Sequence, residues 1–322
     1  MADAGIARPG LRAAVVLHSE GSDASSAASD VCAGLVNAAY AAEARAVTAE
    51  DLLATTAELA LRRDEIAVVN LCGALDRNPQ HAPLVAALLA FHGLRFAGNG
   101  ARTLTCALDK RLTKAILSAA GIPTPGARVF RTAPHRDAVR DMAFPLVVKP
   151  LRAGPGARLP LNSFVRTPDE LCRRVEEVLD STHQPALAEV YLDGREFGVA
   201  VSGRGRVARA VSVMEIAFGP SEDERPRVLA EGVPFEPRCP AEMGEHLRVS
   251  VATAALAAYR ALECCYCAWI GLRLDGRGNP HVFGVDTAPD LSRAGPFARA
   301  VEASGDTYED FLERLVEDAW NR

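Results

Sequence analysis

The sequence predicts an α/β protein of several lobes, for three reasons. At 322 residues the chain exceeds one typical domain and can bury a large core. In its first part, short β-branched runs alternate with alanine- and leucine-rich segments, which is typical of parallel strands joined by helices. In its last third, strand-like runs follow one another and end in a hairpin. We therefore expect a parallel α/β lobe followed by lobes that combine helices with antiparallel strands.

The first lobe is predicted from two buried strands and two helices. Residues 13–17 and 66–71 are apolar and partly β-branched, which indicates strands, whereas residues 27–42 and 83–92 indicate helices. The segment Gly98-Asn99-Gly100 is half of a dinucleotide-binding fingerprint. A single G-x-G is a weak signal, and a tight loop is the simpler interpretation.

The middle of the chain carries clear helix signals. A helix over residues 108–120 is closed by glycine and proline. A strand over residues 144–150 follows, and then residues 151–163, rich in glycine and proline, predict a loop. Thr167-Pro168-Asp169-Glu170 is a capping box with proline at the first helical position, so a helix is expected from there to about residue 180.

The last third is predicted to hold most of the strands, followed by an amphipathic helix at the end of the chain. The expected strands span residues 186–191, 196–202, 210–216, 267–274 and 281–287, with the last two joined through a turn at residues 275–279, and the expected helices span residues 241–262 and 308–320.

Composition and charge exclude several classes of partner. The net charge is −5 with a pI near 5.9, and the 36 lysine and arginine residues are scattered, so we expect no binding to nucleic acid or anionic membranes. The N-terminus lacks the apolar run of a signal peptide, and no window reaches the roughly 18 apolar residues of a membrane-spanning helix. We therefore predict a cytoplasmic protein with a small polar ligand.

Eight cysteines, most of them within apolar segments, are interpreted as reduced thiols that pack as small hydrophobic side chains. Cys264, Cys265 and Cys267 form one local cluster. This cluster could supply thiolates to a soft metal, with His281 as a further ligand, or a nucleophile, although core packing is the simpler interpretation. Cys265 and Cys267 are expected to share one face of a strand, because alternate residues point the same way.

Five short motifs occur in an order that is typical of one family. They are residues 108–114 (LDKRLTK), 120–125 (AGIPTP), 144–150 (FPLVVKP), 191–197 (YLDGREF) and 285–289 (VDTAP). Together they resemble the D-alanine–D-alanine ligases of the ATP-grasp superfamily, from the first strand to the last helix. The resemblance implies an ATP-grasp fold with three lobes: an N-terminal parallel α/β lobe, a central α+β lobe and a C-terminal α+β lobe. The lobes are expected at residues 1–102, 103–185 and 186–322.

The resemblance implies a nucleotide site whose residues are present in this chain. Lys110 and Lys149 correspond to the two lysines that contact ATP phosphates, where a compact ammonium neutralises triphosphate charge. Glu189 and Glu196 correspond to the carboxylates that face the adenine and the ribose hydroxyls. Main-chain groups up to Leu192 would meet the adenine edge. ATP or ADP is therefore the expected cofactor.

The magnesium site that the resemblance implies has lost most of its ligands. In the family, an Asp on the first hairpin strand and a Glu and an Asn on the second hold magnesium, which needs hard oxygen ligands. The corresponding residues here are Gly271, Gly284 and Asp286. Because two glycines offer no side-chain oxygen, we expect Mg²⁺ to bind weakly through Asp286 or not at all.

Other catalytic positions of the family are also altered. The arginine that stabilises the developing oxyanion corresponds to Trp269, and the phosphate-covering loop, residues 153–156 ending at Gly156, has lost its hydroxyls. Residues 19–29, which would face the substrate, lack the family's acidic signature. Removing one oxyanion donor typically costs about 10²–10³-fold in rate, so the parental reaction is not expected at a useful rate.

Three functional hypotheses stay open, because fold similarity does not choose between them. The chain could be an ATP-dependent carboxylate–amine ligase with an altered substrate, or a pseudoenzyme that keeps the nucleotide cleft. It could also run an unrelated reaction, without ATP, in the same cleft. We favour the second hypothesis, with a nucleotide as ligand and standard D-alanine–D-alanine ligation lost. An amino acid is a further expected ligand, and related ligases suggest a homodimer.

Overall fold

Three β-sheets follow one another along the chain and determine its architecture. The computed structural model describes residues 12–20, 24–152, 159–219, 227–230 and 233–321. Its strands are β1 (Ala13–Ser19), β2 (Ala41–Val47), β3 (Ile66–Asn70), β4 (Phe96–Ala97), β5 (Ala127–Phe130), β6 (Leu146–Pro150), β7 (Phe164–Val165), β8 (Ala186–Val190), β9 (Glu196–Ser202), β10 (Arg209–Phe218), β11 (Phe235–Arg238), β12 (Cys267–Leu274) and β13 (Pro280–Asp286). Its helices are α1 (Ala24–Asn37), α2 (Leu52–Ala60), α3 (Ala82–Phe91), α4 (Ala101–Leu108), α5 (Lys110–Ala119), α6 (Pro168–Thr182), α7 (Glu245–Ala261), α8 (Pro296–Ala303) and α9 (Tyr308–Trp320).

The first sheet is parallel and has the strand order β2-β1-β3-β4. Its central strands β1 and β3 are buried on both faces, because α1 and α9 pack on one side and α2 and α3 on the other. Buried strands of this kind read as continuous apolar runs. The strands predicted at residues 13–17 and 66–71 are therefore confirmed.

The helix predicted over residues 27–42 is wrong in its last part. Helix α1 ends at Asn37, and β2 begins at Ala41. The sequence of β2, AAEARAV, consists mostly of residues that favour helix. It nevertheless pairs in parallel with β1, with Ala41 opposite Ala13. Pairing with a buried strand outweighs the intrinsic preference of these residues.

The second sheet has the order β5-β8-β6-β7 with antiparallel neighbours. Helix α6 covers one of its faces with buried leucine and valine side chains. The predicted N-cap is confirmed, since the Thr167 side chain accepts a hydrogen bond of 3.2 Å from the Glu170 backbone N–H and Pro168 occupies the first turn. The reciprocal half of the capping box differs, because the Glu170 carboxylate accepts from the backbone N–H of Arg166 at 2.6 Å. The opposite part of the sheet carries Lys149, which is buried.

Asp109 separates α4 from α5, and α5 confirms the helix predicted over residues 108–120, with a start two residues later. Its backbone is extended, and its carboxylate accepts hydrogen bonds from the backbone N–H groups of Arg111 and Leu112. This N-cap satisfies donors that a helix start otherwise leaves unpaired. It also places Lys110 at the first position of α5, where its backbone N–H donates to the Leu151 carbonyl at 3.3 Å.

The third sheet is antiparallel, with the order β11-β10-β9-β12-β13. Helix α7 packs on one face and forms a core with the inward side chains of β9, β12 and β13. The predicted hairpin is confirmed, with Trp269 opposite Asp286 and Gly271 opposite Gly284. The predicted final helix is also confirmed as α9. Among the described residues, no helix is long and apolar enough to cross a membrane.

Sheet membership divides the second sheet from the third after β8. Strand β8 pairs with β5 and β6 in the second sheet, whereas β9 belongs to the third. The chain therefore passes from one sheet to the other between Val190 and Glu196. The domain boundaries at residues 102 and 185 stay predictions.

Asn99, in the loop between β4 and α4, joins the first lobe to the hairpin. Its buried amide nitrogen donates to the carbonyl oxygens of Cys267 at 2.9 Å and Thr287 at 2.7 Å. Its amide oxygen accepts from the Cys265 backbone N–H at 2.7 Å. These partners lie at the start of β12 and after the end of β13. One side chain therefore fixes both strands of the hairpin against the first lobe.

Asn99→Ala is expected to lower the free energy of unfolding by about 3 kcal/mol, because buried backbone groups lose their partner. Urea denaturation followed by circular dichroism measures this change. The matched control is Asn37→Ala, which removes only an exposed hydrogen bond to Glu309 and should cost less than about 0.5 kcal/mol. Equal effects of the two substitutions would contradict the anchoring role of Asn99.

Candidate functional site

A cavity of about 320 Å³ lies between the second and third sheets. Strands β6 and β8 form one wall, β9, β12 and β13 form the other, and residues before and within α4 and α5 close one end. Gly156 and the rest of the loop 153–156 lie outside the described residues, as do residues 21–23 of the segment expected to face the substrate. The residues expected to bind the nucleotide or a metal, together with Trp269, all line the cavity: Lys110, Lys149, Glu189, Leu192, Glu196, Trp269, Gly271, Gly284 and Asp286.

A buried ion cluster lies on the wall formed by the second sheet. Glu189 of β8 contacts the ammonium of Lys149 at 3.0 Å and that of Lys114 at 2.6 Å. Lys114 also donates to the Thr124 hydroxyl and the Pro125 carbonyl. Burial alone would raise the pKa of Glu189, but the two ammonium groups outweigh it and hold that pKa below its ordinary value. Glu189 is therefore an ionised carboxylate shared by two lysines.

Lys110 is a partly buried lysine whose hydrogen-bond partners are backbone carbonyls. Its ammonium donates to the carbonyl oxygens of Pro150 at 3.2 Å and Leu151 at 3.4 Å, and it forms no ion pair with a carboxylate of the described residues. Burial, together with repulsion from Lys149, lowers the pKa of Lys110 to about 7. An anion bound beside Lys110 would supply the countercharge that the fold does not.

All lysines of the chain contribute to this cleft. Of the 36 lysine and arginine residues, only Lys110, Lys114 and Lys149 are lysine. Lys110 and Lys149 line the cavity, and Lys114 contacts Glu189, which also lines it. Lysine is a compact point charge whose pKa shifts readily on burial, whereas arginine stays charged. The motif comparison overlooks Lys114, which the scarcity of lysine in the sequence would have identified.

Three glycines form a bare row across the third sheet. Gly198 of β9 lies opposite Gly271 of β12, which in turn lies opposite Gly284 of β13. Directly opposed residues share one face of a sheet, and here this face lines the cavity. The three residues of the row therefore contribute no side chains of their own to this face.

Two aromatic rings lie on this row and explain two of its glycines. A Cβ on Gly198 would overlap the indole of Trp269, and a Cβ on Gly271 would lie 2.8 Å from Cζ of Phe283. A bulge leaves Phe283 unpaired and turns its ring toward the cavity. Gly284 differs from the other two, because a Cβ there would meet nothing within 4 Å.

Asp286 lies two residues beyond Gly284 and opposite Trp269. Burial raises the pKa of Asp286 to about 7, although a hydrogen bond of 2.9 Å from the Ala288 N–H acts in the opposite direction. Within the described residues, no group of three or more His, Cys, Asp or Glu side chains could hold a metal ion. Because Mg²⁺ takes oxygen ligands in octahedral geometry, these side chains do not fit the family's magnesium site.

Glu196 is paired with a residue that the sequence analysis overlooked. Arg273 lies opposite Glu196 in the sheet, and its guanidinium contacts the carboxylate at 2.9 Å. The rings of Tyr191 and Phe218 lie 4.9 and 5.6 Å from the guanidinium carbon, so the cation is held between aromatic groups. Burial raises the pKa of Glu196 even though Arg273 lowers it. The register of β9 and β12 creates this pair, which motif comparison does not reveal.

The neighbouring cysteines belong to the core. Cys264 packs in the cluster around α7, and Cys267 packs in a different cluster, with α8 and α9. Cys265 packs against the same cluster as Cys267, but the two do not share a strand face as expected, because β12 begins at Cys267 and Tyr266 has a φ of +68°. Burial raises the pKa of both buried thiols, that of Cys267 to about 12. His281, the suggested further ligand, lies 3.3 Å from Asp275 instead.

Known proteins resemble this chain in sequence. A family model described as D-ala D-ala ligase C-terminus matches residues 116–317. The D-alanine–D-alanine ligase of Cupriavidus metallidurans is 27% identical over 231 residues, which cover 71% of this chain and 69% of that protein. An uncharacterized protein, y4sG, of Sinorhizobium fredii is 29% identical over 243 residues, which cover 74% of this chain and 70% of that protein.

Solved structures resemble it in fold. The D-alanine–D-alanine ligase from Bacillus anthracis, complexed with ATP, has a TM-score of 0.77 at 21% identity, with 97% of each chain covered. The VanG D-Ala:D-Ser ligase from Enterococcus faecalis has a TM-score of 0.75 at 16% identity, with 96% of this chain and 99% of that chain covered. These similarities show the multi-lobed ATP-grasp fold. Since the family model covers well over half of its length, the chain belongs to the D-alanine–D-alanine ligase family of the ATP-grasp superfamily.

Proposed function

We propose that this chain keeps the nucleotide cleft of its family, binds ATP or ADP there with little or no help from Mg²⁺, and has lost standard D-alanine–D-alanine ligation. One observation carries the proposal. All three lysines of the chain converge on a cleft in which the described residues offer no cluster of metal-ligating side chains. One wall thus attracts an anion, while the other lacks the oxygen ligands that a cation needs.

Lys110 and Lys149 are the proposed phosphate ligands. Lys110 has no carboxylate partner among the described residues, so a phosphate would neutralise a buried charge. Lys149 shares Glu189 with Lys114. A phosphate could therefore draw Lys149 away while Lys114 still compensates the charge of Glu189. This arrangement lets the cleft bind an anion without stranding a buried carboxylate.

The opposite end of the cleft is the proposed site of the adenine and ribose. Main-chain groups near Leu192 and the carboxylate of Glu196 line it. Arg273 contacts Oε2 of Glu196, so Oε1 is the oxygen that we assign to a ribose hydroxyl.

The loss of ligation follows from what surrounds the transferred phosphate. Phosphoryl transfer depends on metal ions and cationic groups that neutralise developing charge. Here an indole, that of Trp269, stands at the position of the family's arginine, and Gly271 and Gly284 stand at those of two metal ligands. The reaction would lose its main sources of transition-state stabilisation together.

An active carboxylate–amine ligase with an altered substrate is the second candidate. Asp286 favours it, because this carboxylate lines the cavity at a position where the family holds a metal ligand. Phosphate release in the presence of ATP and a panel of amino acids, D-alanine first, distinguishes this candidate from a pseudoenzyme.

We also propose a cytoplasmic location and a homodimer, with no nucleic-acid partner. All eight cysteines are free thiols, which suits a reducing compartment. Leu84 and Phe91 on the outer face of α3 are 56% and 82% exposed, and apolar surface of this kind favours contact with a second copy. The net charge of −5 opposes binding to nucleic acid.

Calorimetry is expected to show ADP binding without Mg²⁺, with a dissociation constant that changes less than about threefold when Mg²⁺ is added. Lys149→Ala should weaken binding at least about tenfold, because it removes a phosphate-neutralising charge. Arg128→Ala is the control, since it removes an exposed cation of the second sheet that does not line the cavity. Wild-type protein that binds no nucleotide would contradict the proposal. Phosphate release with D-alanine at the rate of an ordinary ligase would contradict the loss of ligation.

The affinity for ADP is expected to fall roughly tenfold between about pH 6 and about pH 8.5. Lys110, whose pKa is lowered to about 7, is mostly charged at the lower pH and mostly neutral at the higher. The charged groups that act on it are Lys149, Glu189 and Asp109. In Lys110→Arg, the arginine side chain stays charged over this whole pH range. The substitution should therefore remove this part of the pH dependence.

NMR of protein labelled at the lysine Cε carbons measures the same property directly. The three lysines give only three signals, so the titration of Lys110 can be followed without overlap. A lysine set that stays fully charged through about pH 9 would contradict the lowered pKa.

Gly284→Glu is expected to restore part of the magnesium site. A Cβ at this position meets nothing within 4 Å, and the new carboxylate would share its face with Asp286. Mg²⁺ should then strengthen ADP binding by about fivefold to tenfold, measured by calorimetry with and without the metal. Gly271→Asp is the control, because its side chain must displace the Phe283 ring and should cost stability without a gain in metal dependence. An unchanged response to Mg²⁺ in Gly284→Glu would show that residue 284 is misassigned.

A further inference from the structure

The hairpin end of the cleft is lined by aromatic rings and bare backbone. We call this region the ring slot and define it by Trp269, Phe283, Gly198, Gly271 and Gly284, all of which line the cavity. We propose that the ring slot is a subsite for the planar aromatic group of a small organic carboxylate, whose anionic group faces Lys149. The proposal adds the class of a second ligand to the proposed function. It rests on that function in one respect, namely that the carboxylate and the nucleotide phosphate would both contact Lys149.

The pattern of glycines supports an open slot. Glycine inside a strand is destabilising relative to alanine, so each of these glycines needs a structural reason. The rings of Trp269 and Phe283 provide that reason at Gly198 and Gly271, where a Cβ would collide. At Gly284 no ring or backbone lies within 4 Å of a Cβ, and the residue lines the cavity. The space above Gly284 is therefore left open to a ligand.

The lining of the slot selects the chemistry of that ligand. The rings of Trp269 and Phe283 are only partly buried, so a flat apolar group would remove further apolar surface from water. Offset or edge-on ring contacts add to this gain, which favours an aromatic over an aliphatic group. A polar group would lose its hydration against these rings without a partner in return.

One charged group stands beside the slot and orients the ligand. The ammonium of Lys149 lies 5.9 Å from the centroid of the Phe283 ring. It is nearly buried and shares its carboxylate partner Glu189 with Lys114. Asp286, on the other side of the slot, disfavours an anion there. A ligand with one flat apolar end and one anionic end thus matches both features.

Binding of three carboxylates tests the proposal: 2-naphthoate, cyclohexanecarboxylate and propionate, each by calorimetry in the absence and presence of ADP. We expect 2-naphthoate to bind at least about fivefold more tightly than cyclohexanecarboxylate and at least about tenfold more tightly than propionate. Trp320→Phe leaves Trp269 as the single tryptophan, so quenching of its fluorescence locates the aromatic probe. Equal affinity for the three carboxylates would overturn the proposal.

Gly284→Val fills the slot without a backbone clash and should weaken 2-naphthoate binding at least about tenfold. Gly276→Val in the exposed hairpin turn is the matched control, since a Cβ there also meets nothing within 4 Å. Unchanged 2-naphthoate binding in Gly284→Val would overturn the subsite. Failure of ADP to bind, with 2-naphthoate binding still sensitive to Gly284→Val, would refute the nucleotide cleft and support the ring slot.

Discussion

The geometry of the cleft depends on one buried amide, that of Asn99. It donates to two carbonyls and accepts from one N–H, so a single side chain of the first lobe fixes the backbone on both strands of the hairpin. Amide groups have a donor and an acceptor at set angles, and buried bonds of this kind specify one arrangement strongly. Trp269 and Asp286 lie within two residues of these anchored points, so the floor of the cleft takes its position from the first lobe.

The two walls of the cleft differ in charge in a way that is consistent with the proposed binding of an anion. A metal-dependent ligase needs carboxylates on the floor to hold a cation, and the cation then offsets their charge. Here Gly271 and Gly284 carry no carboxylate, while Lys110 and Lys149 lie on the opposite side. Fixed ammonium groups can neutralise phosphate charge without a metal, and a floor with fewer negative charges repels that phosphate less. Loss of the metal ligands alone therefore does not imply loss of anion binding.

Sequence signals predicted the features that depend on residues close together in the chain. The N-cap at Thr167 and the hairpin strands have short-range causes, and the residues that line the cavity followed from ordered motifs. The features that were not predicted depend on pairing between strands that lie far apart in the sequence. Strict alternation along β13 would bury Phe283, but a bulge opposite β12 turns it into the cleft. In the same way, Arg273 meets Glu196 only because β9 and β12 pair in one particular register.

The scarcity of lysine has a consequence for chemical labelling. The three lysines lie in or against the cleft, and the rest of the 36 lysine and arginine residues are all arginine. Apart from the amino terminus, an acylating or alkylating reagent that is specific for primary amines therefore finds no target on the outer surface. The extent of its reaction becomes a direct measure of how open the cleft is, and protection from it becomes a measure of how fully the cleft is occupied.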